Sequence, residues 1–164
     1  DEAEELFSRA LTLSPEDPYA LAMLRTMHHL RGRDSLAIGR WRDSYSRAGV
    51  GDAEALDSLN AGYARGGYEP ALRAVAELFV DRYERDWDPD DDGVVNVSVW
   101  QIGTLYTRAG DEDQAIRYLS LALDEGDTNS LSIAVDPIFD PMRDDPRFQA
   151  LVDRLRLPPP PASR

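Results

Sequence analysis

The sequence predicts an all-α chain of stacked antiparallel helix pairs, and three observations carry that expectation. Small residues recur 34 positions apart at Ala3, Ala37 and Ala71, each followed four positions later by a bulky apolar residue: Phe7, Trp41 or Val75. Gly32 and Gly66 keep the same separation. Within each unit the apolar residues return at three- and four-residue spacing, which sets them on one helix face. A single pair cannot bury that face alone, so pairs are expected to stack into a curved solenoid. The competing reading is an irregular helical bundle.

The elements follow in chain order. Residues 1–17 keep only the second helix of a pair, with Ala3, Phe7 and Ala10 on its packing face and Pro15 ending it. The unit at 18–51 opens at Pro18, carries Leu21 and Leu24 on its first helix, turns at Gly32, and places Ala37 and Trp41 on its second. The unit at 52–85 turns at Gly66, and its second helix is expected from about Pro70 to Arg85. The next members, Gly110 and Ala115, arrive 44 positions after Gly66 and Ala71, so the register slips by ten there. That slip marks an acidic insertion at 86–95. The unit at 96–127 then has a first helix over about 96–109, a turn at Gly110, and Ala115, Leu119 and Ala122 on its second helix. The closing stretch "DPIFDPMRDDPRFQALVDRLRLP" begins three times with Asp-Pro, at Asp136, Asp140 and Asp145. Aspartate caps helices and proline starts them. A short helical turn is therefore expected over Pro137–Met142 and a last helix over Pro146–Leu157, with Phe148, Leu151, Val152 and Leu155 inward. Residues 128–157 would cap the open end of the stack, and the proline-rich tail at 158–164 is expected to be disordered.

The fourth unit resembles the tetratricopeptide repeat, a 34-residue helix pair. Val99, Ile102, Gly103 and Tyr106 fall on that family's W-x2-L-G-x2-Y positions, and Ala115, Leu119 and Ala122 on its second helix. The second unit departs from the pattern at Arg25, where glycine is usual. The third departs at Ser58 and Gly62, where large apolar groups are usual. The resemblance covers residues 3 to about 127. It implies a right-handed α-solenoid of about three and a half helix pairs plus a capping helix. The closing segment is similar to those that follow such repeats at the C-termini of bacterial regulators, kinases and cyclases. The resemblance therefore implies an interaction module within a larger bacterial signalling or regulatory protein, whose activity lies upstream. The chain opens on Asp1 inside an amphipathic pattern, which fits a fragment or a processed form.

In this family the first helix of each pair lines a concave face. Projected onto this chain, that face carries Tyr19, Thr26 and His29, then Asn60 and Tyr63, then Trp100, Thr104 and Arg108. Aromatics would anchor a peptide, and Asn or Thr would hydrogen-bond it. A carboxylate clamp would need more cations there, since only Asn60 and Arg108 approach that pattern. The structural alternative is that Tyr63 and Trp100 pack on neighbouring helices. His28 and His29 are adjacent and so face different directions; His28 is expected at a pair interface and His29 exposed.

The insertion offers a second reading. "DPDDDGVVNVSV" alternates Asp88, Asp90 and Asp92 before Gly93, as a calcium loop opens. Its twelfth residue is Val99, which cannot supply the bidentate carboxylate. A calcium-responsive module therefore stands as the alternative, against a solvated acidic spacer. Otherwise no cofactor is expected. A hydrolase would require a buried carboxylate pair, and no motif supports one; no enzymatic activity is expected of this segment.

Composition limits the partners. The net charge is −13 over 164 residues, with 42% hydrophobic residues, so the chain has the makings of a core and repels phosphate backbones. Direct nucleic-acid binding is not expected; a protein or peptide partner or self-association is. No apolar run approaches the roughly 20 residues that span a bilayer. Every basic residue counted is Arg, which fits a high-GC bacterial genome. The lack of cysteine suits either side of a membrane. A cytoplasmic location is favoured over a periplasmic domain of a membrane regulator.

Overall fold

The computed structural model describes residues 2–47, 51–86 and 97–155. The acidic insertion, its three candidate calcium ligands Asp88, Asp90 and Asp92, and the tail at 158–164 lie outside the described residues. Those described form helices and their connections, with no strand among them.

The helices are α1 (Glu2–Leu13), α2 (Pro18–Leu30), α3 (Asp34–Tyr45), α4 (Ala53–Gly66), α5 (Tyr68–Asp86), α6 (Val99–Arg108), α7 (Glu112–Asp124) and α8 (Pro146–Arg154). Two 3₁₀ turns, Thr128–Ser132 and Pro137–Met142, lie between α7 and α8. Aspartates set most of the starts. Asp17 accepts from the amide of Ala20 at 2.7 Å, Asp52 from Ala55 at 3.0 Å and Asp111 from Gln114 at 3.2 Å. Each satisfies an amide the helix leaves orphaned, and such a cap is worth about 1 kcal/mol. All three Asp-Pro steps fall in the capping segment: Asp136 and Asp145 cap the second 3₁₀ turn and α8, while Pro141 sits inside that turn.

The first connection turns at Gly32 (φ 62°) and the last at Gly110 (φ 67°), as the sequence leads one to expect. The middle connection turns one residue later than expected. Gly66 ends α4 in helical conformation, and Gly67 carries the left-handed backbone at φ 87°. A side chain is strained in that region, so the residue that reverses the chain is Gly67. Helix α5 likewise begins at Tyr68, ahead of Pro70, which sits in its first turn where a missing N–H costs nothing.

Packing runs between sequence neighbours. The hairpins α2–α3, α4–α5 and α6–α7 are joined by contacts of α3 with α4 and α5 with α6; α1 lies on α2 and α8 on α7. Glycine permits the closest approaches. A Cβ on Gly62 would stand 2.5 Å from the carbonyl oxygen of Pro70 and 2.7 Å from the Cα of Ala71. A Cβ on Gly103 would stand 2.9 Å from the Leu119 side chain. One apolar cluster runs from Ala37 to Leu151, taking in Trp41, Leu59, Leu72, Ile102, Leu119, Phe139 and Phe148. Complete burial of a Leu or Phe side chain supplies about 1.5–3 kcal/mol, so these residues hold the hairpins together. In α8, Phe148 and Leu151 are buried, while Val152 and Leu155 pack against the cluster only in part. Val99, twelfth in the calcium-like loop, is buried as the first residue of α6.

A few contacts depart from neighbour order; α3, for one, also touches α5. The second 3₁₀ turn lies against both α6 and α2, so the capping segment meets the early part of the chain. That closure shapes the site described next.

Candidate functional site

Helix α6 presents Trp100, Thr104 and Arg108 at four-residue spacing, which sets them along one face. That face looks toward Arg25 and Thr26 of α2 and Ile138 of the second 3₁₀ turn. Between these elements lies a cavity of about 490 Å³.

Two guanidinium groups line it. Arg108 is 92% buried by its residual exposure of 8%. Its side chain donates to the carbonyl oxygen of Thr104 at 3.1 Å and to the hydroxyl of Thr26 at 3.2 Å. Arg25 is partly buried. Its guanidinium stacks 3.6 Å above the Trp41 ring and donates to the Ser44 hydroxyl at 3.4 Å. The Nε–H of each is buried without a hydrogen-bond partner. Neither arginine forms an ion pair with any described carboxylate. Asp136 is the acidic residue on the cavity wall. Its carboxylate accepts from the Ile138 amide at 3.0 Å, and it acts on Arg108 through its field.

Burial is the chief cause that pulls both guanidiniums below their ordinary value. For Arg25, repulsion from Arg108 adds to it and brings the value to about 10. For Arg108, Tyr68 and Asp136 oppose the effect of burial. Arginine keeps its proton in proteins, so both groups are cations at neutral pH. The same field reaches His29: burial and then Arg108 depress its imidazole to about 4.

Four of the eight residues projected onto a concave face thus meet here: Thr26, Trp100, Thr104 and Arg108. The other four do not line the cavity. Tyr19 is 65% exposed and meets Phe7 edge-on, with ring centres 5.9 Å apart. Asn60 accepts a 2.8 Å hydrogen bond from Nε of Arg42, and the same guanidinium lies 5.0 Å from the Tyr63 ring centre. His29 corrects the expectation of an exposed imidazole. It is half-buried against Tyr68, 5.7 Å between ring centres, because α2 lies under the later elements. His28 is buried. Trp100 lines the cavity and also packs edge-on to Phe139, with ring centres 5.7 Å apart.

Arg25 is the residue that repeat-based reasoning missed. Its signal was its place: a long cation where the repeat pattern calls for glycine. Among the described residues, no three or more His, Asp or Glu side chains gather to hold a metal ion. The buried polar side chains there are His28, Thr104, Arg108 and Ser130, so no carboxylate pair is buried. No described helix is long and apolar enough to cross a membrane. Compared with family models, curated proteins and solved structures, the chain matches none of them.

Proposed function

We propose that this chain is a helical-repeat interaction module of the tetratricopeptide type, a short α-solenoid that binds a protein or peptide partner within a larger bacterial regulatory protein. The observation that supports this reading most is the repeated hairpin with a glycine at the crossing. Gly62 meets Ala71, and Gly103 meets Leu119, each within one pair, while consecutive pairs touch only their neighbours along most of the chain. Helix pairs nested in this way leave the first helix of each pair with a face free of its own partner. On α4 that face offers exposed Asn60 and half-buried Tyr63, with Arg42 of α3 beside them. An aromatic ring, an amide and a guanidinium suit an extended polar peptide better than a folded apolar surface.

Selection of a random peptide library against the chain tests this. Enriched peptides are expected to bind the wild type saturably and to lose at least tenfold in affinity to Tyr63→Ala and Asn60→Ala. Failure to enrich any sequence, or enriched peptides indifferent to both substitutions, would overturn the reading.

A further inference from the structure

The peptide surface proposed above does not account for the cavity between α2, α6 and the second 3₁₀ turn. We propose that this cavity is a binding site for a small organic acid, with its anionic head between Arg25 and Arg108 and its apolar body against Trp100, Met23 and Ile138.

This protein pairs its charges unevenly. Acidic residues outnumber basic ones, 31 to 18, so carboxylates are plentiful. Several outer arginines use them. Arg33 meets Glu4, Arg82 meets Asp52 and Glu54, Arg143 meets Asp140, and Arg147 meets Asp113 and Asp145. Exposed cations need such partners least, because water already solvates them. The two guanidiniums that lose the most water are Arg25 and Arg108, and these have none. A buried cation without a counter-ion is unfavourable, and two sharing one cavity repel each other as well. An oxyanion between them would remove both penalties. Guanidinium offers a carboxylate a forked pair of N–H donors for this purpose.

Size and lining set the rest of the ligand. About 490 Å³ is far more than a bare inorganic oxyanion fills and falls within the range of small-molecule sites. Trp100, Met23 and Ile138 give an apolar wall, and Gln101 and Asn129 add polar groups. Asp136 offsets one of the two positive charges, which favours a monoanion over a dianion. The Arg108–Thr26 hydrogen bond and the seat of the second 3₁₀ turn on α2 cross the cavity. They leave room for a small molecule but interrupt the run an extended peptide would need. The site depends on that closure and not on the repeat reading, so either can fail alone.

Benzoate, with benzamide as its neutral isostere, is the probe. At constant ionic strength, benzoate is expected to raise the melting temperature of the chain saturably and to bind at one site by calorimetry. Benzamide should bind at least tenfold more weakly. Arg108→Met should abolish the benzoate response while the ligand-free variant melts no lower than the wild type, since an uncompensated buried cation has been removed. Should that variant not fold, Arg25→Gln serves in its place, with a tenfold or greater loss of benzoate affinity expected. The proposal is overturned by no saturable response in the wild type, by equal binding of benzamide, or by an equal response to inorganic phosphate. It is also overturned if benzoate affinity survives in whichever of the two variants folds.

Discussion

Helices α1 and α6 are similar in length and amphipathicity, yet they differ in what they bury. Seven of the ten residues of α6 are buried, whereas none of the twelve in α1 is. The difference lies in neighbours, not composition. Helix α6 has α5 on one side, α7 on the other and the second 3₁₀ turn across it, whereas α1 packs mainly on α2. A helix in a stack draws most of its stability from the faces its neighbours cover, because isolated helices of this length are marginal. In α1, Phe7, Ala10 and Leu11 are only half-buried, and Leu6 and Leu13 stand in solvent at 55% and 90% exposure. Its fixed polar contacts lie at its start. Glu4 pairs with Arg31 and Arg33, and Arg attraction outweighs partial burial to hold its carboxyl below the usual range.

The largest effects are expected where neighbours press closest. In Gly62→Ala the new methyl would meet backbone atoms of Pro70 and Ala71, which cannot move without shifting α5. Overpacking of this kind costs about 1–3 kcal/mol and more where only backbone can yield. In Gly103→Ala the methyl meets Cγ and Cδ2 of Leu119 at 2.9 Å and its backbone nitrogen at 3.2 Å; side-chain rotation relieves part of that clash, so the loss should be the smaller of the two. Urea denaturation of both variants checks the order. A larger loss at Gly103 would mean that the α6–α7 contact, and not α4–α5, is the tighter hairpin.

That pair of glycines also shows what the sequence conveys. Gly103 stands where the repeat pattern that the sequence resembles carries glycine, so a close contact there was expected. Gly62 looked like a defect in the third unit, because a large apolar residue is usual there. The structure gives it a local cause: α5 approaches so closely that no side chain fits. Periodicity encodes which face of a helix is apolar and which neighbour follows it. It therefore conveyed the helices and their turns to within a residue, while the Asp-Pro steps conveyed the starts of the second 3₁₀ turn and α8. It does not encode contacts between residues 82 apart, such as Arg108 with Thr26. The cavity depends on such a contact, so four of its residues were named as parts of an open groove and Arg25 was passed over.

A medium effect is expected from the buried field of that cavity. Folded His29 has a value of about 4, below the ordinary 6.5. The unfolded chain takes up a proton that the folded chain refuses, so stability should be full above pH 6.5 and decline as pH falls toward 4. With a discount for partial exposure, the span is on the order of 1–2 kcal/mol. His28 is also lowered, chiefly by burial against the pull of Glu4, and adds to the decline with the same sign. His29→Gln should therefore flatten the pH dependence between 6.5 and 4 without abolishing it. An unchanged slope would show that the imidazole is solvated, and with it that α2 does not lie under the later elements.

The smallest effect belongs to the open side of α1. Leu6→Ser removes a side chain that is mostly in water, so unfolding free energy should change by no more than about 0.5 kcal/mol. The same substitution at a stacked position, such as Leu105 in α6, would leave a buried hydroxyl and a cavity and cost several times as much. Denaturation at two protein concentrations makes the comparison sharper. If Leu6→Ser costs well over 1 kcal/mol, and the wild type but not the variant gains stability with concentration, a second copy covers α1 in solution. The contrast between α1 and α6 would then be a contrast between a helix covered by another molecule and one covered by its own chain. If stability is independent of concentration and the substitution is silent, α1 is held by α2 and the Glu4 ion pairs alone.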